Sequence, residues 1–174
     1  MHPLLFVLGF PLAGAAVLAI CGHRERAAEL NVLFSLATLL AAASLAVGVI
    51  GQGPGVLYGD QFLIDSLNVF LVALTAFVSF TTAVFSRPYM RIERDRGRMT
   101  PPRMRLYHSM YQLFGFTMLL ALTTNNLGIL WVAMEAATLS TVLLVSVYRT
   151  PASLEAAWKY FSLCGVGIAQ ALFG

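Results

Sequence analysis

The sequence predicts an all-α, polytopic membrane protein, and three observations carry that reading. Hydrophobic residues make up 59% of the chain and charged residues only 11%, where a soluble domain carries about 25% charged. Mean hydropathy is +0.79, which leaves too little polar surface to cover a water-soluble fold. The apolar residues fall into runs of about 20, the length that crosses the hydrocarbon core of a bilayer, and 174 residues hold about six of them. The third observation is the placement of charge. A net charge of +3 would in sum suit a nucleic-acid binder. Yet Arg87, Arg91, Arg94, Arg96, Arg98, Arg103 and Arg105 lie in one short stretch, which is the footprint of membrane topology rather than of a DNA-binding face.

The first helix is expected over about Pro3–Cys21, with Pro11 and Gly14 inside it, both tolerated in a transmembrane helix. Its start, Met1-His2-Pro3, has no Lys or Arg, and the apolar run is too long for a signal-peptide core, so it reads as a retained helix. Gly22-His23-Arg24-Glu25-Arg26 is a polar loop. A second helix, about Leu30–Ile50, ends at Gly51-Gln52-Gly53-Pro54-Gly55. Val56–Asp65 carries no basic residue. Helix three, about Ser66–Ser86, follows Asp65, an acid placed to cap its N-terminus. The basic loop is expected over Arg87–Arg105, with Thr100-Pro101-Pro102 as a rigid turn inside it. Helix four follows over about Leu106–Thr124, with almost no loop at Asn125-Asn126. Helix five spans about Leu127–Tyr148 and turns at Arg149-Thr150-Pro151. Helix six starts near Ser153, read as its N-cap, and runs to Gly174. Two units are expected: residues 1–106, three helices with the basic loop 87–105, and residues 107–174, helices four to six.

Basic residues follow helices one, three and five, and none follows helices two and four. The positive-inside rule then places the basic loops in the cytoplasm and the N-terminus outside. The apolar run that ends at Phe173-Gly174 has no polar flank, which reads as an N-terminal fragment of a longer protein. Cys21 and Cys164 form no CxxC and no cluster with His, and read as small apolar residues. No phosphate loop, zinc motif, haem pair or nucleophile–base set appears, so no metal site, no cofactor and no active site of its own is expected.

The chemistry concentrates in two charges. Glu135 lies near the middle of Leu130–Ser140, about 13 residues and so roughly 20 Å from the cytoplasmic end of its helix. A charge at mid-membrane costs roughly 2.5–3.5 kcal/mol for Asp, Lys or Arg on insertion scales. Desolvation favours the neutral acid and a nearby cation favours the charged form. A carboxyl poised between the two can take and release protons, whereas a hydrogen-bonded one would only lock helices together. Trp131 and Thr138, at i−4 and i+3, share its helical face. Thr138 is placed to hydrogen-bond the acid or a water, and Trp131 is explained equally well by packing.

Lys159 lies about 9 Å into helix six, with Glu155 one turn earlier as a candidate partner and snorkelling as the competing account. It reads as a second buried charge, offset in depth from Glu135 by about 10 Å, so no direct bridge between them is expected. Gln170 and Ser162 add polar points along the same helix. His108, at the cytoplasmic start of helix four, is placed to receive protons from the basic loop. The more conservative reading is a satisfied interfacial histidine. His2 and His23 are expected in solvent, and the loop arginines at anionic headgroups.

Asn126-Leu127 followed by Trp131-x-x-x-Glu135, then Leu154-Glu155-Ala156-Ala157-x-Lys159-Tyr160-Phe161, resembles the antiporter-like proton-translocating membrane subunits. These occur in respiratory complex I, Mrp-type sodium/proton antiporters, membrane-bound hydrogenases and formate hydrogenlyase. Tyr89-Met90 fits the same pattern, and Lys159–Gln170 looks most like the hydrogenase-4 type. The resemblance implies a roughly fourteen-helix fold built of two inverted five-helix repeats, of which this chain matches helices one to six. It implies a charged chain across the membrane centre in which Glu135 and Lys159 take part. The resemblance further implies redox cofactors held by other subunits of an oxidoreductase complex, and a bacterial inner-membrane location. Protons, with sodium as an alternative, would be the transported species. A structural scaffold that moves nothing and a stand-alone Mrp-type antiporter remain alternatives to a redox-driven proton translocator.

Overall fold

The computed structural model describes residues 2–24, 26–57 and 59–174, with no side chain described for His2 or Gln52. The expectation for the His2 side chain, and the Glu25 of the first loop, thus lie outside the described residues. Among the described residues, six α-helices run alternately up and down: α1 (His2–Cys21), α2 (Ala27–Gln52), α3 (Ser66–Asp95), α4 (Pro101–Thr123), α5 (Leu127–Val145) and α6 (Pro151–Phe173). A short antiparallel hairpin, β1 (Gly55–Leu57) and β2 (Phe62–Ile64), links α2 to α3. The chain is an all-α polytopic membrane protein, as its composition requires. Four of the helices, α1, α2, α3 and α5, are long and apolar enough to span a bilayer by length and composition. The other two are of comparable length, but α4 carries Arg103, Arg105, His108 and Gln112, and α6 carries Glu155 and Lys159. Large apolar side chains such as Phe6, Leu40, Phe70, Phe85 and Leu163 point outward, the inverse of a soluble fold and the expected dress of a surface facing acyl chains.

The largest departure from the sequence-based expectation is at residues 87–105, which form no long loop. Helix α3 runs on to Asp95, α4 already begins at Pro101, and only residues 96–100 turn between them. The reason lies in the buried stripe of α3: Val69, Val72, Ala76, Ala83, Met90 and Glu93. These recur at helical spacing straight through Pro88, so the apolar period outlasts the membrane-like composition. Met90 packs with Met99, Met104 and Val147 in a second small core at this end. Glu93 is buried there, 3.5 Å from Arg98 and 4.0 Å from Arg96. Gly97 closes the turn at φ +71°, the left-handed conformation that follows a helix C-terminus and that glycine adopts at no steric cost. The reversal is sharp because Pro101 and Pro102 restart a helix immediately.

Local capping holds the other ends. Asp65 accepts from the Asn68 backbone N–H at 2.7 Å and caps α3 as expected. Asn126 accepts from the N–H groups of Gly128 and Ile129 and caps α5. Thr150, not Ser153, caps α6. The two form a capping box in which Ser153 occupies the third helical position and its hydroxyl accepts from the Thr150 N–H at 3.0 Å. Proline at the first helical position moves the start of α6 back to Pro151. The hairpin was not foreseen. It is stitched to the α4–α5 turn by the Asn125 N–H donating to the Gln61 carbonyl at 2.7 Å and by an isolated bridge between Phe62 and Thr124.

Among the described residues, α1 lies against α2 and α4, α2 against α3, α4 also against α3 and α5, and α6 mainly against α5. The boundary expected after Leu106 falls inside α4, the helix that α1 packs along. Helices approach closely at Gly22, where a methyl group would meet the Arg105 backbone at 2.9 Å, and at Gly14. A methyl group there would meet the Phe34 ring at 2.9 Å and the Gln112 side chain at 3.3 Å. Beside it the Gln112 Nε2 donates to the Asn31 carbonyl at 3.0 Å, to Asn31 Oδ1 at 2.8 Å and lies 3.0 Å from Ser35 Oγ. Ser109 donates to the Ala15 carbonyl at 3.1 Å. Small residues and interhelical hydrogen bonds drive helix association where lipid is as apolar as leucine.

Gln112→Leu is therefore expected to leave Asn31 without its donor and to cost about 1–2 kcal/mol. The detergent-solubilised protein should then melt roughly 2–8 °C lower. Gly14→Val should do at least as much by forcing α1 off α2. Both are checked by thermal unfolding.

Candidate functional site

Helix α5 positions the acid. Leu127 begins the helix under the Asn126 cap, and Glu135 sits eight residues later, about 12 Å along the axis. The remaining distance to Tyr148 is about 20 Å, so the carboxyl lies well inside the bundle. Ala133, Ala137, Thr138 and Ser140 are buried. The hydroxyls nearby all turn back on their own helix: Thr138 donates to the Met134 carbonyl at 3.1 Å, Ser140 to Ala136 at 2.8 Å and Thr141 to Ala137 at 3.0 Å. Thr138 thus binds backbone four residues back, as Thr in a helix readily does, and does not serve the acid.

Glu135 is partly buried, and its Oε2 is enclosed without a hydrogen-bond partner among the described residues. The Trp131 Nε1, one turn before it, is enclosed and unpartnered as well. Across the helix pair stands Gly165 of α6. A Cβ built on it would lie 3.6 Å from Glu135 Oε1, so the absence of a side chain at Gly165 keeps space beside the carboxylate. Gly165 was missed by sequence reasoning. Its signal was there in the small-residue run Cys164-Gly165-Val166-Gly167 at the depth of the acid. What pairs with that run needs the packing of α5 on α6.

Lys159 stands six residues before Gly165, about 9 Å nearer the basic end. Its Nζ donates to Glu155 Oε1 at 2.5 Å, an i,i+4 pair as expected. The expectation that Lys159 is buried does not hold within the chain, where its side chain is 68% exposed. The cause is that α6 packs mainly on α5 and the 3-10 turn Ser146–Tyr148, leaving the side chains of Glu155 and Lys159 largely exposed. Trp158, Leu163 and Val166 are exposed on α6 too.

His108 also departs from expectation. It is not satisfied: it is 1% exposed, and neither ring nitrogen has a hydrogen-bond partner among the described residues. The early start of α4 at Pro101 puts it two turns inside the helix, with the Tyr107 ring edge-on to it, centroids 5.2 Å apart. Between the basic end and the middle, the Gln112–Asn31–Ser35 hydrogen bonds form a second polar layer that the charges alone did not reveal. Among the described residues no group of three or more His, Cys, Asp or Glu is placed to hold a metal ion.

No family model matches the chain. It is similar to the hydrogenase-4 component F homolog of Methylacidiphilum infernorum (isolate V4), 47% identical over 168 residues, which is 97% of this chain and 34% of that protein. It is also similar to the NADH-quinone oxidoreductase subunit L of Mycobacterium tuberculosis (strain CDC 1551 / Oshkosh), 28% identical over 194 residues, covering 99% of this chain and 29% of that protein. The chain spans about a third of the length of the curated relatives it matches.

The exposed Glu155–Lys159 pair adds little to folding. Lys159→Met is expected to change stability by no more than about 0.5 kcal/mol. Thr150→Ala, which removes the cap of α6, should cost about 1 kcal/mol. Thermal unfolding of the two variants side by side checks the order.

Proposed function

From a chain that fits the antiporter-like family of membrane subunits, we infer a proton-translocating subunit of a redox-driven membrane complex of the hydrogenase or NADH:quinone oxidoreductase type. The observation that carries the reading is Glu135: a carboxyl well inside the bundle, with one oxygen enclosed and unpartnered and a glycine opposite. A carboxyl that only locked helices together would have that oxygen hydrogen-bonded, because an unmet buried acceptor is costly. An unpartnered carboxyl oxygen suits a group that gains and loses a proton instead.

Lys159 supplies a charge that acts through space. At about 9 Å along the axis, two unit charges interact by about 2 kcal/mol at an effective dielectric near 20. That is enough to bias proton occupancy on Glu135 more than tenfold without contact. Movement of the lysine toward or away from Glu155 changes that bias, and protons pass along water between stations. Redox chemistry belongs to other subunits, which are this chain's partners together with the lipid bilayer. The arginines at one end support a cytoplasmic placement of that end in a bacterial inner membrane. Residues 1–106 and 107–174 then correspond to an N-terminal three-helix segment and the start of a helical repeat.

Glu135→Gln in the complete protein within its complex is expected to reduce proton pumping in sealed vesicles at least tenfold with assembly intact. Unchanged pumping per assembled complex sinks the relay. Lost assembly with undiminished pumping per surviving complex favours a scaffold. Sodium-dependent proton flux without redox substrate favours a stand-alone antiporter.

A further inference from the structure

At the basic end of the bundle, the α1–α2 turn, the start of α2, the end of α3 and the start of α4 enclose a small concavity of about 60 Å³. His23, Arg24, Arg87, Arg91 and Arg94 line it, and so does the buried His108. Glu29 lines it as well and pairs with Arg87 at 2.8 Å, while Arg94 lies 3.6 Å from Asp95. Arg24 and Arg91 have no ion-pair partner among the described residues. The concavity therefore carries excess positive charge at its rim and an unpartnered polar ring in its wall. Guanidinium groups so gathered repel cations and hold anions, and their planar forks match the oxygens of a phosphate. The space is far below the roughly 300–1,000 Å³ of a cofactor or drug-sized site, so the fitting ligand is a single small anionic group.

Two placements point to the source of that group. Arg87 lies 21 residues beyond Ser66, about 32 Å along α3, just past the roughly 30 Å hydrocarbon thickness of a bilayer. The site is thus at headgroup level. Arg87 and Arg91 also line a second groove, of about 370 Å³, whose remaining walls are the apolar Val32, Val84 and Pro88. Val84 is exposed, and one turn of α3 carries the surface from guanidinium to hydrocarbon. A charged concavity that shares its arginines with an apolar groove matches one molecule with both characters.

We propose that this end of the bundle binds an anionic membrane lipid, its phosphodiester in the Arg24–Arg91–His108 concavity and an acyl chain along the α2–α3 groove. Basic pockets between helices on the cytoplasmic side are the general setting for such recognition. The lipid would tie α2, α3 and α4 together beside Pro88 of α3.

The test uses the complete protein, purified in micelles containing phosphatidylcholine, and titrates in phosphatidylglycerol, further phosphatidylcholine or inorganic phosphate. Thermal unfolding reports stabilisation, and native mass spectrometry reports retained lipid. Phosphatidylglycerol is expected to stabilise the protein and phosphatidylcholine not. Arg91→Gln should weaken the response about fivefold, and Arg24→Gln with Arg91→Gln about twenty-five-fold. Arg105→Gln, outside the concavity, should change it less than twofold. The substituted arginines are exposed, so the variants keep the fold that a His108 substitution risks. Equal stabilisation by phosphatidylcholine, or an Arg91→Gln response matching that of Arg105→Gln, overturns the site. Stabilisation by inorganic phosphate as strong as by the lipid overturns the lipid assignment in favour of a free anion. None of these readouts depends on proton transport, so the outcome stands apart from that of Glu135→Gln.

Discussion

Gln112 holds the bundle together at the point where three helices meet. Its amide donates to two oxygens of Asn31 on α2 and sits against Ser35, while Gly14 of α1 presses against its side chain. In water such a contact would be one small term among many. In a bilayer, burying leucine against leucine gains little over burying it in lipid, so close backbone approach and interhelical hydrogen bonds decide which helices touch. The position of α4 follows from this contact. So do the depth of His108 one turn earlier and, through the packing of α4 on α5, the placement of Glu135.

The two ends of the bundle are built differently. At the hairpin end, backbone bonds stitch β2 to the α4–α5 turn, and the cap at Asn126 starts α5 in a fixed register. At the basic end, Met90, Met99, Met104 and Val147 make a flexible apolar plug around which the arginines are arrayed. The Tyr89 and Tyr148 hydroxyls, 3.0 Å apart, join α3 to the 3-10 turn that follows α5 there. The fixed end sets the depth of the acid, and the charged end meets headgroups and cytoplasm on the topology proposed above.

Within the bundle the polar groups are sorted by whether they are satisfied. Thr138, Ser140 and Thr141 spend their hydroxyls on their own helix. Glu135, Trp131, His108 and the Asn31 amide nitrogen retain enclosed atoms without a hydrogen-bond partner among the described residues. Such atoms are rare in native proteins because each is costly, and here they lie at three places: beside Glu135, at His108 and in the Gln112 layer. The Glu135 side is open toward Gly165, and α6 is covered on one side only.

Composition and periodicity alone determined the membrane class, the helix count, the capping of α3 by Asp65, the odd placement of Glu135 and the pairing of Lys159 with Glu155. These are short-range or solvent-level properties: a run either partitions into lipid or does not, and residues four apart on a helix must meet. The packed structure decided the rest. It extended α3 through Pro88 because Met90 and Glu93 find a buried face, and exchanged Ser153 for Thr150 as the cap. It buried His108 and left Lys159 exposed. It also set Gly165 opposite the acid and gathered Arg24, Arg87 and Arg91 around one concavity. Each of these depends on which helix lies beside which, and that is fixed by contacts between residues about 80 apart, such as Asn31 and Gln112, whose partnership no local pattern announces.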